Sequence, residues 1–273
     1  MSASTTSSLD APTLDRLRTD IDGLLSGLEE GRDEPARALA EAFFRRSDPV
    51  YLQGRELAAQ LKQWQDLARW VELRPAGEIK VRVFNPHVEQ CGYFLARTVL
   101  QTDMDDQAFI FDSLHTLLRT MEIVPHRCLH PIVRIERDGA GQAVSIDPLP
   151  EGSEGEAGLE SVMHFELPLL PEERLPEIEA AVSERLRAIQ AMVADWDAMR
   201  AKALWLAAHL SEYTITGDQA YYRNLSLVQK FFHWLAADNY VFASYAEYLV
   251  EPGVDQPTLV ADSVLGQARQ ANS

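Results

Sequence analysis

One stretch, TDMDDQAFIFDSLHTLL (residues 102–118), joins a strand pattern to a helix pattern. It continues the strand-like segment YFLARTVLQT, and from Ile110 apolar residues recur at offsets of four, seven, eight and eleven, which is helical spacing. The stretch therefore predicts a strand that turns into an amphipathic helix. Three carboxylates, those of Asp103, Asp105 and Asp106, lie at the predicted turn.

Helices are predicted before this stretch and strands on both sides of it. Residues 13–76 read as a helical region, because ELAAQLKQWQDLARWVEL carries an apolar stripe at helical spacing. EIKVRVF, HRCLHPIVRIERD and SVMHFEL alternate apolar and polar residues, as half-exposed strands do. In SVMHFEL the alternation predicts Met163, Phe165 and Leu167 inside, with His164 and Glu166 outside. Pro131 indicates an edge or a bulge in its strand.

Three longer segments complete the predicted organisation. Residues 138–160 are rich in glycine and acids and predict a mobile hairpin loop. Residues 171–210 predict one long helix with a near-heptad apolar seam. NYVFASYAEYLVE, near residues 239–251, predicts a last strand. Residues 1–12 are expected to be a disordered tail and residues 252–273 a C-terminal linker.

The order of elements from residue 94 predicts an α+β fold. Counting the two helices before the last strand as one crossover gives βαββαβ, the ferredoxin-like arrangement, within a domain over residues 77–251. Its antiparallel sheet has helices on one face, and the other face is open unless something covers it.

Charge and composition exclude several classes of function. The net charge of −17 disfavours nucleic acid and anionic membrane surfaces as partners. The Ser/Thr-rich start is not typical of a signal peptide, no window approaches 18 uncharged apolar residues, and the two cysteines have no zinc-type spacing. We expect a cytoplasmic protein.

The three aspartates have more than one interpretation. An EF-hand loop counted from Asp103 fails, because its positions 6 and 12 are Ala108 and Leu114. Asp105 or Asp106 as the N-cap of the helix is the favoured structural interpretation. A functional interpretation adds an amino-acid effector, held by free backbone N–H groups and by the carboxylates. The candidate effector-binding residues are Thr102, Asp103, Asp105, Asp106 and Ser113.

The histidines give a weaker signal. His130 and His164 lie on predicted strands, could face the same side, and have Glu166 nearby. A polar sheet face is favoured over a metal site, since their spacing matches no ligand signature. No metal ligand and no catalytic residue is assigned, because nucleotide-binding and nucleophile motifs are missing from the sequence. A metal-dependent enzyme using Asp103, Asp105 and a histidine remains a third hypothesis.

Six motifs together resemble a known family. FFRRSDPVYL, WVELRPAGEIKVRVFNP, TDMDDQAFIFDSL, HPIVRIERDGAG, ESVMHFEL and FFHWLAADNYVFASYAEY follow one another in an order similar to the N-terminal region of the large bacterial NAD-specific glutamate dehydrogenases. The resemblance implies an ACT-like domain of ferredoxin-like topology. It also implies that the catalytic domain and its NAD lie outside this chain, so no cofactor is assigned here.

The resemblance implies a non-catalytic regulatory or assembly segment of such an enzyme. The parent reaction is oxidative deamination of L-glutamate to 2-oxoglutarate and ammonium. The expected partners are a second copy of the chain, the catalytic region of the parent enzyme, or both, with an amino acid as effector. The alternative is a stand-alone oligomerisation module without a ligand.

Overall fold

The computed structural model of the protein describes residues 11–28, 33–46, 55–149, 158–210, 219–251, 253 and 255–271. The helices are α1 (Ala11–Gly27), α2 (Glu34–Arg46), α3 (Leu57–Val71), α4 (Val88–Cys91), α5 (Ile110–Thr120), α6 (Leu175–Ala194), α7 (Trp196–His209), α8 (Gln219–Trp234) and α9 (Ala268–Ala271). The strands are β1 (Lys80–Phe84), β2 (Thr98–Asp105), β3 (Arg127–Leu129), β4 (Ile132–Arg137), β5 (Ala143–Pro148), β6 (Leu159–Leu167), β7 (Ser244–Tyr245), β8 (Tyr248–Leu249), β9 (Thr258–Leu259) and β10 (Leu265–Gly266). Two compact units result, residues 1–107 with 111–183, and residues 108–110 with 184–273.

The first unit is built on a six-stranded antiparallel sheet. Its strand order is β1-β2-β6-β4-β5, and β3 pairs with the same edge of β6 as β4 does. His130 and Pro131 separate β3 from β4, as expected for a proline that cannot donate to the ladder. All nine residues of β6 are buried, so this strand is the centre of the sheet.

The topology confirms an antiparallel α+β fold of ferredoxin-like type, with one strand assigned wrongly. The segment β2–α5–β3/β4–β6–α6 supplies the first five elements of βαββαβ, with β6 between β2 and β4. The edge beside β2 is occupied by β1, which precedes β2 in the chain. The predicted strand at residues 239–251 is not in this sheet. Its two short pieces, β7 and β8, pair with β10 and β9.

Each face of the sheet is covered by helices of the first unit. Successive residues of β6 point to opposite faces, since the His164 ring lies 6.5 Å from Phe43 of α2 and the Phe165 ring lies 6.2 Å from Phe111 of α5. We call these the N-terminal face and the α5 face. The N-terminal face shares one apolar core with α1–α3, which includes Leu39, Phe43, Trp64, Val133 and Val162. The face that the topology alone leaves open is therefore closed by the chain's own N-terminal helices.

The second unit consists of helices and two short two-stranded ladders. The single helix predicted for residues 171–210 is interrupted at Asp195, whose backbone (φ −95°, ψ 6°) leaves the helical region. The Asp195 carboxylate accepts hydrogen bonds from the Gly266 N–H at 2.7 Å and the Arg269 Nε at 2.5 Å. The interruption thus supplies an anchor for the C-terminal segment.

Other predicted segments differ from the structure in detail. The loop predicted at residues 138–160 contains a tight turn at residues 138–141 and the strand β5, while residues 150–157 lie outside the described part. Residues 1–10 of the predicted tail also lie outside it, and α1 begins at Ala11. The predicted C-terminal linker holds β9, β10 and α9. None of the helices in the described ranges is long and apolar enough to cross a membrane.

Candidate functional site

The structure does not gather the predicted effector residues into one pocket. Thr102 lies on the α5 face and Asp103 on the N-terminal face, and both are fully buried. Asp105 ends β2 with its side chain 59% exposed. The Asp106 N–H donates to the Leu159 carbonyl at 2.8 Å. Ser113 lies within α5 and is half-buried.

The predicted N-cap is also wrong. The helix α5 begins at Ile110, and three residues separate it from Asp106. The residue directly before it is Phe109, whose φ of 71° lies in the left-handed region that few side chains adopt. Asp103 and Asp105 instead belong to β2, so their carboxylates follow the alternation of a strand.

A buried ionic cluster, formed by Arg74, Asp103, Arg137 and Glu160, covers one end of the N-terminal face. Arg137 binds Glu160 with two hydrogen bonds, Nε to Oε1 and Nη2 to Oε2, both 2.7 Å long. Arg74 Nη2 lies 2.8 Å from Glu160 Oε1, and Arg74 Nε lies 3.4 Å from Asp103 Oδ1. Arg137 Nη2 reaches Asp103 Oδ2 at 3.5 Å. Two guanidinium groups therefore enclose two carboxyl groups away from solvent.

The C-terminal end of α3 completes the electrostatics of this cluster. Arg137 donates to the carbonyl of Val71 at 3.1 Å and to that of Glu72 at 3.3 Å. Lys80 of β1 donates to the carbonyls of Trp70 and Leu73. The last carbonyls of a helix carry partial negative charge, and cations near them are stabilising. The cluster thus fastens the N-terminal helices to the sheet.

The two carboxyl groups of the cluster titrate in opposite directions. Burial, followed by the neighbouring Glu160 carboxylate, raises the pKa of Asp103 well above its ordinary value. Burial also acts to raise the pKa of Glu160, but the hydrogen bonds from Arg137 and Arg74 outweigh it and bring that pKa to about 2. The surroundings therefore favour the neutral form of Asp103 and the ionised form of Glu160.

A second polar group occupies the middle of the N-terminal face. Arg55 Nη2 lies 2.5 Å from Glu166 Oε1, and His164 Nε2 lies 3.6 Å from the same oxygen. Gln101 Nε2 and His164 Nδ1 are 2.9 Å apart, and Arg82 Nε donates to Gln101 Oε1 at 2.6 Å. Burial acts to raise the pKa of Glu166, but the hydrogen bond and charge of His164 and the ion pair with Arg55 bring it to about 2.

The predicted polar face is corrected in two respects. His164 and Glu166 are buried under α2 and α3 and do not face solvent. His130 is not on their side of the sheet, because its Nε2 lies 2.8 Å from the Ser161 hydroxyl and its ring stacks on Phe111 at 6.0 Å. Within the described ranges, no group of three or more His, Cys, Asp or Glu side chains is arranged to hold a metal ion.

Sequence reasoning missed the cations of both groups. Arg55, Arg74 and Arg137 carry no motif of their own. The available signal is a set of polar residues on alternate positions of neighbouring strands, which share a face once the register is known: Lys80 opposite Asp103, Arg82 opposite Gln101, and Asp105 opposite Glu160. This pattern indicates a polar face but does not identify the three arginines that cover it.

A cleft of about 750 Å³ lies elsewhere in the first unit. Leu61, Lys62 and Arg69 of α3 and Ile146 of β5 contribute to its walls, and none of the predicted site residues lines it. The predicted effector position at residues 102–106 therefore coincides with an ionic cluster and not with this cleft.

The fold and the buried polar groups define an ACT-like domain whose sheet is closed by a helical region and whose titratable groups hold the two together. The chain belongs to the family described as the glutamate dehydrogenase ACT1 domain, which its residues 39–182 match.

Two longer proteins give the context of that domain. The chain is 28% identical over 213 aligned positions to the NAD-specific glutamate dehydrogenase of Pseudomonas aeruginosa, covering 77% of this chain and 13% of that protein. It is 28% identical over 274 positions to the NAD-specific glutamate dehydrogenase of Halomonas elongata, covering 94% of this chain and 16% of that protein. The chain thus spans about a seventh of the length of these relatives.

Proposed function

We propose that the chain is a non-catalytic regulatory and assembly segment of a cytoplasmic NAD-dependent glutamate dehydrogenase. The parent enzyme would oxidatively deaminate L-glutamate to 2-oxoglutarate and ammonium, with NAD bound in its catalytic remainder. Support comes from the family and from the relatives, both of which are named as NAD-specific glutamate dehydrogenases.

The observation that carries the non-catalytic role is the buried ionic cluster. An acid–base catalyst needs a carboxyl group that substrate can reach. Asp103 and Glu160 are instead enclosed by Arg74 and Arg137, with Asp103 fully buried. The buried carboxyl groups of Asp103 and Glu160 therefore support the architecture of the domain.

We do not extend the proposal to an amino-acid effector bound at residues 102–106. Such a ligand would need free carboxylates for its ammonium group, whereas Asp105 Oδ1 already lies 2.7 Å from Arg74 Nη2. The side chains of Thr102 and Asp103 point to opposite faces of the sheet. Thermal unfolding in the presence of each amino acid tests this point, since a ligand at 100 times its dissociation constant would add about 2.7 kcal/mol.

Glutamate-dependent formation of NADH tests the main proposal. The chain alone should show no turnover. Adding it to a separately expressed catalytic remainder of the enzyme should change the oligomeric state of that remainder or its kinetic constants. Turnover by the chain alone would refute the non-catalytic role. If the chain changes neither the oligomeric state nor the kinetic constants of the catalytic remainder, the assembly and regulatory role is refuted.

A further inference from the structure

Among the described residues, those that pack against α8 in the second unit lie on one side of this helix. Leu225, Gln229 and Phe232, spaced four and three apart, are half-buried, and Gln229 Nε2 donates to the Ala207 carbonyl of α7 at 3.0 Å. From residue 224 to residue 234 no side chain of α8 is fully buried. In α3, a helix of similar length, six residues are buried, among them Trp64 and Leu67.

The opposite side of α8 carries a large apolar stripe, formed by Leu227, Phe231 and Trp234 with Val228 beside it. The three stripe residues follow one another at spacings of four and three and are 64%, 54% and 50% exposed. The Phe231 and Trp234 rings stack with centroids 6.1 Å apart. Exposed patches of large apolar side chains, aromatic ones above all, mark surfaces that another molecule covers.

The charges around the stripe indicate the chemistry of the partner. The sequence of α8 contains no Asp or Glu, although the chain has 42 acids and a net charge of −17. Lys230 and His233 are exposed beside the stripe. An apolar helix face with a basic border is complementary to an apolar groove with an acidic rim.

The size of the stripe argues against a second copy of α8 as the partner. The three stripe side chains and Val228 would bury roughly 100 Å² each, given that a large aromatic or aliphatic side chain buries about 150–250 Å² when fully covered. Two such stripes face to face would bury about half of the ~800 Å² per partner that a standard interface needs. A groove that encloses the helix also covers its flanks and so reaches that area.

We propose that α8 docks through Leu227, Phe231 and Trp234 into an apolar, acid-rimmed groove on the catalytic remainder of the parent enzyme. This inference rests on the proposed function and names the surface through which the chain assembles with the rest of the enzyme. The binding is of the helix-in-groove kind, with anchors one and two turns apart on the same side of the helix.

The test measures binding of the chain to the separately expressed catalytic remainder by calorimetry. Phe231→Asp should weaken binding at least tenfold, because it places a charge in the apolar contact. Phe94→Asp is the matched control, since Phe94 is 60% exposed in the first unit and lies outside α8, and it should bind like the unaltered chain. Lys230→Glu should weaken binding less, by an amount that shrinks as salt is added. Circular dichroism of each variant should be unchanged, since Phe231 and Phe94 are exposed.

The outcomes separate this inference from the proposed function. Equal binding of the chain and of Phe231→Asp would overturn the inference while the assembly role stands. No binding of the unaltered chain would overturn both. A dimer of the chain alone that Phe231→Asp dissociates would overturn the inference in favour of a second copy as the occupant.

Discussion

The two faces of the same sheet bury their residues in different ways. On β6, Met163, Phe165 and Leu167 point to the α5 face, whereas Glu160, His164 and Glu166 point to the N-terminal face. All six are buried. The apolar residues are stabilised by leaving water, while the polar ones are tolerated only because each has partners. For these six residues of β6, burial on the α5 face therefore depends on apolar packing, whereas burial on the N-terminal face depends on polar and ionic partners set beside its apolar core.

The largest loss of stability is expected from a substitution on the α5 face. Phe165→Ala should lower the free energy of unfolding by about 4 kcal/mol, because the side chain is fully buried and its loss leaves a cavity against Phe111. Urea denaturation followed by circular dichroism measures the change. Phe94→Ala, at a 60% exposed position, is the control and should change stability by less than about 0.5 kcal/mol. A similar cost for both would mean that Phe165 is not a core residue.

A somewhat smaller effect is expected from the ionic cluster. Arg74→Met should destabilise by about 3 kcal/mol, since it leaves Glu160 and Asp103 with one guanidinium group in place of two. Arg119→Met, on the exposed surface of α5, is the control.

The comparison is sharpened by a second substitution. In Arg74→Met, Glu160 keeps both of its hydrogen bonds from Arg137. Adding Glu160→Gln should therefore lower stability further, because it leaves the buried Arg137 guanidinium without its carboxylate partner. Recovery of stability in the double variant would contradict the pairing of Arg137 with Glu160.

The raised pKa of Asp103 gives the third prediction, which concerns pH. The pKa of Asp103 is raised in the folded state, so its contribution to stability is full below the ordinary aspartate pKa of about 3.9 and is lost as pH rises through the folded value. Asp103→Asn cannot titrate and removes this loss. At pH 8 the variant should be more stable than the unaltered chain, and near pH 4 the two should differ little.

The measurement is the free energy of unfolding across the pH range for both proteins. Glu160 and Glu166, with pKa values of about 2, act in the opposite sense, since their contributions are present above about pH 4.5 and are lost as pH falls towards 2. Both proteins keep the partners of Glu166 and keep Arg74 and Arg137 beside Glu160, so the difference between them above about pH 4.5 reports on Asp103. A difference that does not grow with pH would contradict a raised pKa of Asp103 in the folded protein.

The sequence predicted correctly that the apolar residues of β6 are buried, but it placed the polar residues of β6 in solvent, for a physical reason. Alternation places Phe165 and His164 on opposite sides of β6, but it does not say whether the polar side meets water or other protein. His164 and Glu166 were expected outside, because their buried partners, Arg55 and Gln101, come from distant positions in the chain.

The last strand of the predicted βαββαβ pattern could not be assigned from local pattern alone. NYVFASYAEYLVE has strand-forming residues, yet strand identity depends on a partner, and β7 and β8 pair within the C-terminal segment. β1 was recognised as a strand, but its place beside β2 is a matter of topology, which the pattern of one segment does not contain. The order of the predicted elements gave the fold class, and the family resemblance implies the same class, whereas the order of the strands follows only from their pairing in the structure.

The smallest loss of stability is expected at the rim of the ionic cluster, where the side chain of Asp105 is exposed to water. Asp105 pairs with Arg74 at 2.7 Å, as closely as Glu160 does, but its side chain is 59% exposed. Water already solvates that carboxylate, so Asp105→Ala should cost less than about 1 kcal/mol, and added salt should reduce the cost further. A double-mutant cycle between Arg74→Met and Asp105→Ala measures the coupling. A coupling near 3 kcal/mol would show that depth of burial does not set the strength of these pairs, and the distinction between the enclosed carboxylates and the exposed one would fail.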